Sequence, residues 1–308
     1  MDPTEKKLVR NNFIAFVLHL VIGISFFVVM QTSESNLIGI ETSTYTLEPV
    51  YTIQNVDSDV EQVGFDTQKQ SSDLSLSSLI LAFVLITAAF HFMISAVKTV
   101  RNAYLKNIKN EQNPLRWLEY SITASIMLLI VSFSLGLREY NSLILMFFLN
   151  GLVMIQGYVI EVLLNSGQFT AAKILTYASW VAYGSYWFVL IKTAWNSSSK
   201  LSEFIKEEQA RLDNTPNEEG QGRLPELNDL KALIVSVTVT IGLLYTSFAV
   251  VQCVQVHRKS QNKVINYANY ENAYVILSLV SKTTLVSLMF WGLYGRSQNN
   301  KKTEKYNK

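Results

Sequence analysis

The sequence predicts an all-α membrane protein, a bundle of seven transmembrane helices. Three observations predict it. Apolar runs recur at about 13–30, 76–97, 115–137, 143–164, 171–194, 231–256 and 272–294, and each is long enough to cross roughly 30 Å of hydrocarbon as a helix. The chain is 49% hydrophobic but only 16% charged, where a soluble domain carries about 25% charge. Lysine and arginine also alternate in density between successive connections, as they do in polytopic proteins with a fixed orientation.

The first run, 13–30, has the length of a signal segment. No small-residue cleavage site follows it and six further runs do, so it is read as a transmembrane helix. The connection 31–75 is rich in acids, among them Glu34, Glu41, Glu48, Asp57 and Asp66. Within it TYTLEPVYTIQ, at 44–54, mixes β-branched and aromatic residues in partial alternation and predicts a short β-hairpin. The third helix is expected to begin near 107 and to run to 137 with a kink at Pro114, because Glu119 must reach bilayer depth. The connection 196–229 is polar and mixed in charge, and predicts a flexible loop with at most a short helix near 201–212. A basic tail, 295–308, closes the chain.

Orientation follows from the short loops. Lys6, Lys7 and Arg10, then Lys98, Arg101, Lys106 and Lys109, then Arg258, Lys259 and Lys263 share one side if the helices alternate. That side is expected to be cytoplasmic, with the N-terminus inside, the C-terminus outside and the acidic 31–75 connection and 196–229 loop extracellular. The tail lysines 301, 302, 305 and 308 pull the other way, and the N-terminal helices outweigh them. A net charge of +2 gives no reason to expect a nucleic-acid partner, and a single cysteine, Cys253, excludes an internal disulfide and a cysteine-built metal site. No nucleophile–base pair or metal-ligand spacing emerges, so the chain is not expected to be an enzyme.

The seventh run carries the chemistry. Lys282 lies near its middle, where a lysine costs roughly 2.5–3.5 kcal/mol on insertion scales. Two tasks suit such a residue: a charged lysine paired with a buried carboxylate, or a desolvated amine that condenses with a carbonyl. Glu119 in the third run is the natural partner, since each charge offsets part of the other's desolvation. The competing assignment pairs Glu119 with Arg116 at the membrane boundary. Ser278 falls one turn before Lys282 on the same face, where its hydroxyl serves either Lys282 and Glu119 or its own helix carbonyl.

RWLEYSITASIMLLI at 116–130 and AYVILSLVSKTTL at 273–285 closely resemble the third and seventh helices of heliorhodopsins, retinal proteins of inverted membrane orientation. AFHF at 89–92, His19-Leu20 and SFAVVQCVQ at 247–255 are similar to the family's second, first and sixth helices. The resemblance implies a rhodopsin-like bundle in which Lys282 binds all-trans retinal covalently as a protonated Schiff base. It implies Glu119 as counterion, Ser278 and Thr123 as hydrogen-bonding neighbours of the Schiff base, and His19 and His91 as a polar, proton-accepting cluster. Tyr120, Tyr183, Tyr245 and Trp180 fall at retinal-pocket positions. A homodimer is also implied.

An outward pump of the familiar kind has a carboxyl donor about eleven residues past the counterion. Here that position is Ile130 and the seventh-helix acid is replaced by Ser278, so an efficient pump is not expected. A slow light sensor read by a signalling partner is the first expectation. The alternative is a light-gated passive path for protons or cations, with Glu161 as a candidate on the ion path and Gln156, Gln252 and Thr246 extending it. Glu161 also suits a plain solvated charge at a helix end.

Overall fold

The computed structural model describes residues 1–32, 39–53, 61–214 and 218–306. Its elements are α1 (Pro3–Thr32), β1 (Gly39–Ile53), β2 (Glu61–Ser75), α2 (Leu76–Ala96), α3 (Lys98–Lys109), α4 (Pro114–Leu135), α5 (Tyr140–Asn165), α6 (Phe169–Asn214), α7 (Glu218–Ser260) and α8 (Tyr267–Tyr306). Among the described residues, every helix but α3 contains a stretch long and apolar enough to cross a membrane, seven in all. Their outward faces are apolar too: Val181, Phe188 and Leu243 are each more than two-thirds exposed. In water such surfaces aggregate; in a bilayer they meet lipid. The chain is an integral, multi-pass membrane protein.

The helices close a ring. α1 packs on α2 and α8, α2 on α4, α4 on α5, and α5, α6, α7 and α8 follow in order. α4 is the most enclosed of the spans. The ring has two unlike halves. Toward the β1–β2 end the core is apolar, built on Phe83, Leu128, Ile130, Phe133, Leu190 and Ile241. Toward the N-terminal end a smaller apolar cluster (Leu8, Ile94, Tyr104, Ile108, Tyr267) surrounds buried polar residues.

Three expected boundaries change. The third helix begins at Pro114, not near 107, and contains no internal proline kink. Asn113 caps it, accepting a 3.2 Å hydrogen bond from the Arg116 amide, and Pro114 takes the first turn, where its missing N–H costs nothing. Residues 98–109 instead form the separate helix α3, which buries Tyr104, Leu105 and Ile108 beneath the bundle and leaves its basic residues Lys106 and Lys109 outward. The depth difficulty disappears because a helical side chain leans toward its own N-terminus, so the long Lys282 stem descends to the level of Glu119.

The 196–229 segment is not a loop where it is described. α6 continues to Asn214 and α7 begins at Glu218, with 215–217 outside the described residues. Close spacing of helix-forming Lys, Glu and Ala, together with the burial of Leu212 and of Glu208 beside Arg211, keeps the extension helical. The hairpin is longer than expected. β1 and β2 pair antiparallel over fifteen residues each, from Gly39↔Ser75 to Ile53↔Glu61, and residues 54–60 lie outside the description. The Ser43 amide ties the hairpin to the bundle by donating to the Arg138 carbonyl at 2.9 Å. At the chain's end, α8 carries the basic tail as helix to Tyr306.

Candidate functional site

Lys282 is 3% exposed and sits in the middle of the ring. Its Nζ donates to Glu119 Oε1 at 2.5 Å and to Thr87 Oγ1 at 2.8 Å. Thus α4 and α2 each place one group on the nitrogen that α8 supplies. Glu119 is 4% and Thr87 0% exposed, so the ion pair is desolvated and held by a neutral hydroxyl as well. The face of Tyr120 lies 5.4 Å from Nζ.

Arg116 does not compete for Glu119. It turns the other way and forms short ion pairs with both Glu161 and Glu271, and its guanidinium stacks 4.1 Å over the Tyr274 ring. Glu161 is therefore no solvated helix-end charge: it is 1% exposed and also accepts from Tyr267 Oη at 2.9 Å and from the Asn113 amide at 3.0 Å. Asn113 Nδ2 reaches Glu271 at 2.8 Å.

A cavity opens beside Lys282 between α4, α5, α6, α7 and α8. It takes in about 800 Å³ of space free of atoms, counting the part that is open to its surroundings. Of the expected pocket residues, Tyr120, Tyr183, Tyr245 and Trp180 all line it, with Ser278, Thr123 and Lys282. The aromatic residues are fixed by their polar ends: Tyr183 Oη to Thr246 Oγ1 at 2.7 Å, Tyr245 Oη to the Ala124 carbonyl at 2.6 Å, and Trp180 Nε1 to Cys253 Sγ at 3.0 Å. With those ends tied to the wall, the rings present apolar faces to the space between them.

The neighbours of Lys282 divide. Ser278 Oγ is buried one turn away and makes no hydrogen bond. Thr123 departs from expectation: its hydroxyl donates to the Glu119 carbonyl in its own helix at 3.0 Å, the back-bond that threonine favours inside a membrane helix. The hydroxyl beside Lys282 is Thr87 instead. His19 and His91 come together as stacked rings, 5.7 Å apart with planes 7° from parallel. Both are buried, and His91 Nδ1 bonds Asn12 Oδ1 at 2.8 Å. Gln156, Gln252 and Thr246 are spent on bonds between neighbouring helices, to Ser179, the Gly157 carbonyl and Tyr183.

The sequence profile of the heliorhodopsin family matches residues 8–206, about two-thirds of the chain. The chain belongs to the heliorhodopsin family. No curated protein matches it. The matched part of this family member includes His19, Thr87, His91, Glu119 and Glu161 but ends before α7. Lys282 and Ser278 lie beyond it, and the fold brings Lys282 against Glu119.

Sequence reasoning missed Thr87, Glu271 and Trp117. Thr87 carries a signal, since it precedes His91 by one turn and shares its face. Glu271 sits just ahead of the last apolar run and reads there as a loop acid. Trp117, in the cavity wall, has no sequence signal beyond being aromatic.

Proposed function

We propose that this protein is a light-absorbing photoreceptor that carries all-trans retinal on Lys282 as a protonated Schiff base. The observation that carries the reading is a single buried lysine, paired with one carboxylate, at the wall of an aromatic cavity. The residues present fit the group. Its walls are mostly apolar and rich in aromatic rings, as small-molecule sites are, and among the described residues that line it the only amine is that of Lys282. When bound, retinal supplies visible absorption and light-driven isomerisation; the protein supplies orientation and electrostatics.

The chain's own groups then have definite tasks. Glu119 holds positive charge on the Lys282 nitrogen, since an adjacent anion favours the protonated form. Thr87 gives the nitrogen a second acceptor beside the carboxylate, and Ser278 offers a further, unspent hydroxyl. Tyr120, Tyr183, Tyr245 and Trp180 confine an elongated apolar ligand. His19 and His91 offer ring nitrogens that accept a proton. The apolar half around Leu128, Ile130 and Phe133 supports a sensor with a slow photocycle over a pump, because Ile130 occupies the position where a carboxyl donor is needed. A homodimer with its N-terminus in the cytoplasm and a signalling partner at one face complete the reading. A second reading, a light-gated passive path for protons, is favoured by one observation: the buried polar chain from His91 to Glu271 and Glu161.

An absorption spectrum with added all-trans retinal tests the proposal. Wild type is expected to form a visible band that hydroxylamine bleaches, and Lys282→Ala to form none. A folded wild-type protein without a band returns Lys282 to a plain ion-pair role. Light-dependent current under voltage clamp then separates the sensor from the passive path.

A further inference from the structure

The buried polar half contains two groups of ionisable side chains, and one neutral amide stands between them. The first group surrounds Lys282: Glu119 from α4, His91 from α2 and His19 from α1. The second is Arg116 with Glu161 and Glu271, joined by Tyr104 from α3 and Tyr267 from α8. The link runs from His91 Nδ1 to Asn12 Oδ1 at 2.8 Å, from Asn12 Nδ2 to Tyr104 Oη at 3.5 Å, and from Tyr104 Oη to Glu271 Oε1 at 3.3 Å. Asn12 is 1% exposed and lies in the interior of α1.

The orientation of the Asn12 amide is fixed by chemistry. Its Nδ2 donates to the Leu8 carbonyl at 2.9 Å, and a carbonyl can only accept. Oδ1 therefore faces His91 and must receive a proton-bearing Nδ1. In its neutral form His91 is then the Nδ1–H tautomer, and the lone pair lies on Nε2. That atom is buried and has no hydrogen-bond partner. It lies on the face of α2 that also presents Thr87 to Lys282, one turn away.

We infer that Asn12 is an insulator: it lets His91 take up the proton that light frees from Lys282, but stops that proton from reaching Glu271 and the N-terminal face. The inference rests on the reading of Lys282 given above. The proton on Lys282 Nζ moves to the Nε2 lone pair of His91, giving a neutral nitrogen and an imidazolium. Onward hopping would require the Nδ1 proton to pass to Asn12 Oδ1 while Nδ2 releases one to Tyr104. An imidazole, a phenol and a carboxyl can each take a proton at one atom and release one from another. A carboxamide has no such second form near neutral pH. The proton is stranded on His91 and returns the way it came, so the cycle moves no charge across the membrane. A carboxyl at position 12 completes the wire: one oxygen takes the His91 proton, the other gives one to Tyr104, and Tyr104 gives one to Glu271.

The test uses the full chain with all-trans retinal in liposomes of phosphatidylcholine and phosphatidylglycerol, with a pH-sensitive dye trapped inside. Wild type, Asn12→Asp and Asn12→Asp/Glu271→Gln are compared under illumination. Asn12→Asp is expected to give a light-dependent proton flux several-fold above wild type, and the double variant to fall back to the wild-type level. A wild type that conducts as well as Asn12→Asp overturns the inference, and so does an Asn12→Asp protein that forms its visible band and stays silent. Nitrogen NMR of histidine-labelled wild type reads the tautomer without light or chromophore, the His91 signal being the one lost in His91→Gln. A bare Nε2 and protonated Nδ1 support the insulator; a proton on Nε2 overturns it. Absence of a visible band in every sample sinks the photoreceptor reading instead, and the NMR result still decides for or against Asn12.

Discussion

Lys282 and Glu119 hold one another in place. Each is a charge in a low-dielectric interior, and removing one partner of a buried pair costs about 3–5 kcal/mol because the other is left uncompensated. Glu119→Gln keeps the size and a hydrogen bond to Nζ while deleting the anion, so it separates packing from charge. With retinal bound, the neutral side chain is expected to lower the pKa of the Schiff base, so that the visible band is lost at a lower pH than in wild type; where the nitrogen stays protonated, the band moves to longer wavelength. A spectrum and a titration identical to wild type would sink the counterion role. Both charges were legible in the sequence, because a lone ionised group inside an apolar run demands a partner. Thr87 was not, since a hydroxyl in a membrane helix usually satisfies itself on its own backbone, as Thr123 does here. The partners of Arg116 were hidden for another reason. Glu271 and Glu161 lie at the edges of their runs, where charge normally meets water, and only the packing of α4 against its neighbours shows them buried.

Among the elements, α4 lays the Trp117 ring onto α5 at Gly157. A side chain there would overlap the six-membered ring of Trp117, which lies flat against the bare backbone. Trp117 also forms part of the cavity wall and stacks edge-on to Tyr120 and Tyr274. Gly157→Ala is therefore expected to push the indole toward the cavity, at an overpacking cost of about 1–3 kcal/mol, and to shift the retinal band without abolishing it. Thermal unfolding in detergent and an absorption spectrum check both parts; an unchanged melt and an unchanged band would show that α5 yields instead of Trp117. The sequence located all seven spans because hydropathy reports burial in lipid directly. It misplaced what hydropathy does not report. The α3–α4 break depends on Asn113 and Pro114 acting as a cap, and the helical continuation of α6 past the apolar region depends on local charge pairs and on the burial of Leu212.

At the scale of the whole molecule, polarity is divided along the membrane normal. The polar half lies at the end that carries the N-terminus, α3, the end of α7 and the start of α8. Lys109 of α3 bonds Glu5 of α1 at 2.8 Å, so these elements share one face. The basic residues of the short connections, including Lys98, Arg101, Lys106, Arg258, Lys259 and Lys263, gather there, whereas the hairpin and the extensions of α6 and α7 occupy the other end. Positive charge in short loops is retained in the cytoplasm, which predicts that the polar half faces inward. Single-cysteine labelling tests it in a Cys253→Ala background, with an impermeant maleimide on whole cells. Glu203→Cys, exposed on the α6 extension, is expected to react in intact cells, and Lys106→Cys, exposed on α3, only after lysis. The reverse pattern would place the N-terminus outside. The proton acceptors around Lys282 would then open toward the exterior, and a partner reading the light-driven change at that face would have to be extracellular.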